Sequence, residues 1–113
     1  MRILAAVSPA DFRKGIDGLS RLCRSALESD PFSGAVFVFR NKKATALKIL
    51  LYDGQGFWLF QKRLSKGRFT WWPEEADAAS MRLDAHELQL LIWNGDLAGA
   101  TISPFWKKID PVR

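Results

Sequence analysis

The residues able to do covalent or metal chemistry are few in this chain. There is one histidine, His86, and one cysteine, Cys23, in 113 residues. His86 falls in the first turn of an expected helix with no cysteine or acidic cluster at metal-ligand spacing, which reads as a solvent-facing residue. Cys23 has no partner for an internal disulfide and lies on an apolar helical stripe, where a thiol serves as a small hydrophobe. Asp17, Asp30 and Asp53 could be combined into a metal-binding triad for phosphoryl chemistry. Each has a simpler local use: Asp17 on a helix face, Asp30 before Pro31 at a helix exit, Asp53 in a hairpin turn. No Ser-His-Asp spacing, Gly-x-Gly-x-x-Gly run or P-loop occurs. The expectation is no catalytic residue, no metal ligand and no cofactor.

Non-covalent recognition of a polyanion is the chemistry the chain is better equipped for. Seventeen Lys and Arg residues stand against twelve Asp and Glu, a net charge of +5. The excess is segregated. Between residues 32 and 73 the basic residues are Arg40, Lys42, Lys43, Lys48, Lys62, Arg63, Lys66 and Arg68, with Asp53 the only acid. Between residues 74 and 96 Glu74, Glu75, Asp77, Asp84, Glu87 and Asp96 face Arg82 alone. Aromatics are interleaved with the basic run: Phe57, Trp58, Phe60, Phe69, Trp71 and Trp72. Exposed rings beside Lys and Arg can stack unpaired bases, but aromatics in strands are more often core. Trp71-Trp72 is the place where one ring is expected to be exposed, because adjacent strand residues face opposite ways.

The elements that must position these residues follow from periodicity. Residues 2–7 read as a short strand. Ser8-Pro9-Ala10-Asp11 is a helix-start signal, with Gly15 and Gly18 weakening the first turns. Ile16, Leu19, Leu22, Cys23, Ala26 and Leu27 form one apolar stripe at helical spacing, and Asp30-Pro31 ends that helix. Three apolar runs follow, at 35–40, 47–52 and 57–62, separated by turns at 41–43 and 53–56, the latter an Asp-Gly signal. Residues 68–72 are expected as a further strand of this meander, stopped by Pro73, with a short strand near Met81. A second helix opens around Asp84, with Asp84 and Glu87 as a capping-box pair, and stops at Asn94-Gly95.

The expected fold is α+β, an antiparallel meander of about four to five strands packed with two main helices. It forms a single domain over 1–113 with an ordered core at about 2–93. Phe105 and Trp106 are expected to dock and the chain to fray from Lys107, which leaves the role of 96–113 open. The strands are apolar on both faces, so both need cover. The helices are expected to cover one face, and the C-terminal segment or a partner subunit the other, hence an expectation of a homodimer.

In a meander, alternate turns share one end of the sheet. Arg40, Lys42 and Lys43 on one turn would then join Lys62, Arg63, Lys66 and Arg68 around another in a single cationic edge. Trp72 is the candidate stacking ring beside it. Such an edge meets several phosphates at once. The same charges would equally keep a very apolar sheet soluble and block edge aggregation, and both readings stand at this point.

The motifs also carry a resemblance. Arg13-Lys14-Gly15-Ile16-Asp17-Gly18-Leu19 is one block. Asp30-Pro31-Phe32-Ser33-Gly34 followed by Val36-Phe37-Val38-Phe39-Arg40-Asn41 is a second. Tyr52-Asp53-Gly54-Gln55-Gly56-Phe57, then Phe60, Lys62-Arg63-Leu64 and Gly67-Arg68-Phe69-Thr70-Trp71, is a third. In this order, over about residues 2–93, they resemble the TnpB-type (Orf2-like) accessory proteins of the IS-sixty-six family of bacterial insertion sequences. Trp71-Trp72-Pro73 departs from the pattern, which usually has one Trp before Pro.

The resemblance implies a non-catalytic role in DNA transposition beside a separate transposase, which carries the catalysis, and another accessory protein. A transposase catalytic core needs a longer fold than this chain provides. Arg13 and Lys14 either extend the basic edge or pair with acids. The expected function is nucleic-acid binding through the basic turns, with DNA as partner. The alternative is an adaptor that docks on the transposase through its apolar sheet face, without direct DNA contact. The lone cysteine, and an apolar start too short for a signal peptide or membrane span, give the expectation of a cytoplasmic protein with no membrane partner.

Overall fold

The computed structural model describes residues 1–96 and 101–102, with side chains up to Asn94. The expectations for Phe105, Trp106 and Lys107 onward lie outside the described residues. Five strands form one sheet: β1 (Ile3–Ala6), β2 (Val36–Arg40), β3 (Ala46–Tyr52), β4 (Phe57–Arg63) and β5 (Ser80–Leu83), in the order β4-β3-β2-β1-β5. Two helices, α1 (Ile16–Ser25) and α2 (Ala85–Ile92), pack against it, and a short hairpin pairs Gly95–Asp96 with Thr101–Ile102. This is the expected α+β class. β2, β3 and β4 are the antiparallel meander, in continuous register. β1 lies parallel to β2, and β5 antiparallel to β1. Parallel neighbours need a long crossover, which the segment carrying α1 supplies.

The two helices cover opposite faces, which corrects the expectation that both would serve one. α1 buries Leu19, Cys23 and the nearby Leu27 against Ala6, Phe37, Phe39 and Leu50. α2 and the segment after β4 cover the other face, with Leu91, Phe69, Leu88, Trp71 and Trp72 on Ile3, Ala5, Val36, Val38 and Leu47. Alternation along β2 explains this: Phe37 and Phe39 point one way and Val36 and Val38 the other. Cys23 is fully buried, and burial pushes its thiol up to about 12, so it stays protonated and inert.

Two local expectations are overturned. Residues 8–14 are irregular with a turn at 12–13, and α1 starts at Ile16 with Gly15 as its N-cap. The backbone of this segment is used elsewhere. Ala10 N–H donates to the Arg40 carbonyl (2.9 Å), Asp11 Oδ1 accepts from Arg13 N–H (2.9 Å), and the carbonyls of Phe12 and Lys14 accept from Lys48 Nζ (3.0 and 2.9 Å). Residues 68–72 are irregular rather than a strand. Phe69 N–H makes one bond to the Ala44 carbonyl (2.8 Å), and the Asn94 side chain takes up the backbone on either side. The chain then crosses the face to reach β5.

α2 begins as its sequence implies. Asp84 Oδ1 accepts from Glu87 N–H (2.7 Å) and Glu87 Oε1 accepts from Asp84 N–H (2.9 Å), a complete capping box. Asp84→Ala is expected to cost about 1 kcal/mol. Urea denaturation measures it, and a loss indistinguishable from zero would contradict the role given to the cap.

Candidate nucleic-acid interface

The register of the meander gathers the basic residues. Arg63 pairs with Ala46 and Arg40 with Leu47, so β4 ends beside the turn that joins β2 to β3. Leu64 N–H donates to the Thr45 carbonyl (2.9 Å) and Phe69 N–H to the Ala44 carbonyl, which lays residues 64–69 against that turn. The turn itself is rigidly held. Asn41 Oδ1 accepts from the amides of Thr45 (2.9 Å) and Ala46 (3.1 Å), and its Nδ2 donates to Thr45 Oγ1 (2.9 Å). Lys42, Lys43, Arg63, Lys66 and Arg68 are all exposed at this one end.

Arg13 and Lys14 reach the same end by another route. β1 runs parallel to β2, so the chain leaves β1 beside Arg40, and the Ala10–Arg40 bond keeps it there. The buried Lys48, 6 % exposed, ties the loop down with its two carbonyl bonds and lies 4.9 Å from the Phe12 ring centroid. Its charge organises the loop rather than meeting solvent. Gly18 is required by the same packing, since a Cβ there would meet Lys14 Cβ at 2.9 Å.

The candidate residues differ in what else they do. Arg13 is paired with Asp11 (Nη2–Oδ2 2.7 Å), and its hydrogen bonds hold the Asp11 carboxyl down at about 2. Its charge is therefore already shared, which is the acid-pairing reading of this residue. Lys62 donates from Nζ to the Ile92 carbonyl at the end of α2 and lies 5.0 Å from the Trp93 ring, and desolvation lowers its pKa. A cation at a helix C-terminus is a structural contact. The Arg40 guanidinium lies 5.7 Å from the Trp72 ring centroid, and its Nε has no hydrogen-bond partner among the described residues.

Trp72 is fastened inward. Its Nε1–H donates to the Ala6 carbonyl (2.8 Å), and the ring packs on the second core. It is not presented as a stacking platform, nor is Trp71, which packs on the same core. Of the nine candidate cations, six remain exposed and without an ion pair among the described residues: Lys14, Lys42, Lys43, Arg63, Lys66 and Arg68.

This end is not uniformly basic. Val7 N–H donates to the Ala79 carbonyl (3.0 Å), so the loop carrying exposed Glu74, Glu75 and Asp77 also closes there, on the β1–β5 side. Positive charge lies over β2–β4 and negative charge beside β1 and β5. A polyanion is thereby attracted to one half of the end and repelled from the other.

Sequence reasoning missed the exposed aromatics. Trp58 (53 % exposed) and Phe60 (51 %) stand together on β4 with centroids 5.9 Å apart and planes at 5°. Asp53 fixes the first of them by accepting from Trp58 Nε1 (2.7 Å) while its other oxygen accepts from the amides of Gln55 and Gly56. These bonds to the charged form hold the Asp53 carboxyl below its ordinary range. Asp30 is likewise used locally, accepting from Phe32 N–H (2.9 Å). The described residues contain no group of three or more His, Cys, Asp and Glu side chains able to hold a metal ion. No helix among them is long and apolar enough to cross a membrane.

The family model for IS66 Orf2-like protein (TnpB) matches residues 1–100. This chain belongs to that family. Two relatives from Sinorhizobium fredii are similar across most of their length. The uncharacterized protein y4jC is 40% identical over 92 residues, covering 81% of this chain and 77% of its own. The uncharacterized protein y4hO is 37% identical over 92 residues, covering 81% and 78%. No solved structure matches. Membership in the IS66 Orf2-like family points to an accessory role in the transposition of an insertion sequence.

Proposed function

We propose that this IS66 Orf2-like protein is a non-catalytic accessory factor of DNA transposition that binds DNA through the basic end of its sheet. The carrying observation is that separate parts of the chain deliver six exposed cations, unpaired among the described residues, to one end, on turns whose backbones are internally bonded. A turn whose backbone is already held spares the loop-ordering part of the cost of binding, leaving only the side chains to order. The Glu74–Asp77 side of the same end limits the footprint to β2–β4. A separate transposase supplies the chemistry, and this chain works beside it in a complex assembled on DNA.

A salt series tests the reading. With about six phosphate contacts, the slope of log K against log salt is expected near −5 for duplex DNA. Fluorescence anisotropy with a labelled duplex measures it, and absence of binding at low salt would sink the proposal. The adaptor reading, contact with the transposase and none with DNA, predicts co-purification with that transposase in the same absence of DNA affinity.

A further inference from the structure

We infer that β4 is the dimerisation strand: two copies of this chain pair their β4 edges antiparallel and join their sheets into one.

β4 is an edge strand whose outer side no described element covers. Which of its backbone groups are free follows from the ends of the β3–β4 ladder. Asp53 N–H donates to the Gly56 carbonyl and Leu64 N–H to the Thr45 carbonyl. Hydrogen-bonded pairs alternate in an antiparallel ladder, so Trp58, Phe60 and Lys62 bond inward to Leu51, Ile49 and Leu47. The N–H and C=O groups of Phe57, Leu59, Gln61 and Arg63 therefore point out of the sheet.

Edges of this kind are ordinarily blunted by proline, a bulge, short length or central charges. β4 is seven residues long, FWLFQKR, has no proline and keeps unbroken register with β3. Its only charges are at one end. Its centre instead carries Trp58 and Phe60, half-exposed on the α2 face of the sheet, where neither that helix nor another described element covers them.

The occupant argued for is a second copy, because β4 is complementary to itself. Outward-pointing residues must meet outward-pointing residues, which allows twofold registers centred on Leu59, Phe60 or Gln61. Only the Phe60 register engages all seven residues. It sets Phe57 opposite the partner's Arg63, Trp58 opposite the partner's Lys62, Leu59 opposite the partner's Gln61, and Phe60 opposite its own copy. No like charges are opposed, and the four half-exposed rings close into one strip. The two basic ends then face away from each other.

Sedimentation equilibrium on the full chain without nucleic acid, from low micromolar to several hundred micromolar, tests the pairing independently of any DNA affinity. The expected mass is twice 12.8 kDa, and a constant monomer overturns the inference. Phe60→Lys opposes two like charges at the twofold axis and is expected to weaken the dimer by about tenfold or more. Gln61→Pro removes an outward N–H that β3 does not use and is expected to abolish it. Circular dichroism confirms that each variant is folded. A dimer indifferent to both places the interface elsewhere.

A positive signature comes from Phe60→Cys under oxidation. Phe60 and its copy form a non-hydrogen-bonded pair about 4.5 Å apart at Cα, within disulfide reach. The buried Cys23 does not compete. Absence of the crosslink overturns the Phe60 register. If the wild type is monomeric and Phe60→Lys instead alters binding of single-stranded DNA, the rings are a base-stacking surface and the pairing is wrong.

Discussion

The variant Lys42→Glu, Lys43→Glu, Lys66→Glu, Arg68→Glu is expected to lose about three orders of magnitude in duplex affinity at 0.1 M salt. All four residues are exposed. They lie on the two segments that the Ala44–Phe69 and Thr45–Leu64 bonds hold together. Each phosphate contact contributes about 0.9 to the salt slope. Removing four of six should reduce the slope from near −5 to about −2, before counting repulsion by the new carboxylates. The fold should be unaffected, because surface substitutions of this kind change stability by about 0.5 kcal/mol or less each. The comparison is an anisotropy titration of both proteins across a salt series, with thermal melts alongside. Equal affinities, or equal slopes, would show that the charges serve solubility alone.

The second large effect is expected at Asn94, where Asn94→Ala should cost about 3 kcal/mol. The side chain is 5 % exposed, and its Oδ1 accepts from Thr70 N–H (2.8 Å) and Thr70 Oγ1 (3.2 Å) while Nδ2 donates to the Arg68 carbonyl (2.9 Å). Truncation strips these groups of a partner in a half-buried place. The backbone adds to the loss, because Asn94 has φ 55, a left-handed conformation that alanine disfavours by about 1 kcal/mol or more. Asn94→Gly separates the contributions: it removes the bonds and relieves the strain, so it should fall between wild type and Asn94→Ala. Urea midpoints rank the three. If alanine and glycine variants both match wild type, Asn94 does not hold the 68–70 segment. Because that segment carries Arg68, DNA affinity should fall modestly in both variants, far less than in the four-residue reversal.

Much of the site was legible because its residues announce themselves locally. Lys42 and Lys43 follow Asn41, a turn residue; Lys66 and Gly67 mark another turn; and the rule that alternate turns of a meander share an end needs no coordinates. What local reading could not separate was the fate of each charge. Lys48 and Lys62 are chemically the same as Lys42, yet one is buried under the 8–14 loop and the other caps α2. Both partners are backbone carbonyls distant in sequence, and nothing in side-chain type or spacing marks a distant carbonyl. The same blindness put Trp72 among the exposed rings and Trp58 and Phe60 among the core ones. Which aromatic is covered depends on where α2 and the segment after β4 lie on the sheet.

The helix-start signal at Ser8-Pro9 and the strand at 68–72 failed for a related reason. Residues 8–14 have the chemistry to open a helix, but Arg40, Lys48 and the Asp11 carboxylate compete for the same backbone groups and win. Arg68 to Trp72 is rich in strand formers, but Asn94 supplies the hydrogen bonds that a neighbouring strand would have supplied.

By itself, then, the sequence determined the family, the α+β class, the three consecutive strands of the meander and the segregation of charge, since each is written in local pattern and residue order. The tertiary structure decided that the helices take opposite faces and that an acidic loop shares the basic end. It also decided which six of the candidate cations stay out of ion pairs, and that β4 has an aromatic edge no other element covers, among the described residues. Those outcomes depend on contacts between residues far apart in the chain, and such contacts leave no periodic trace in the sequence.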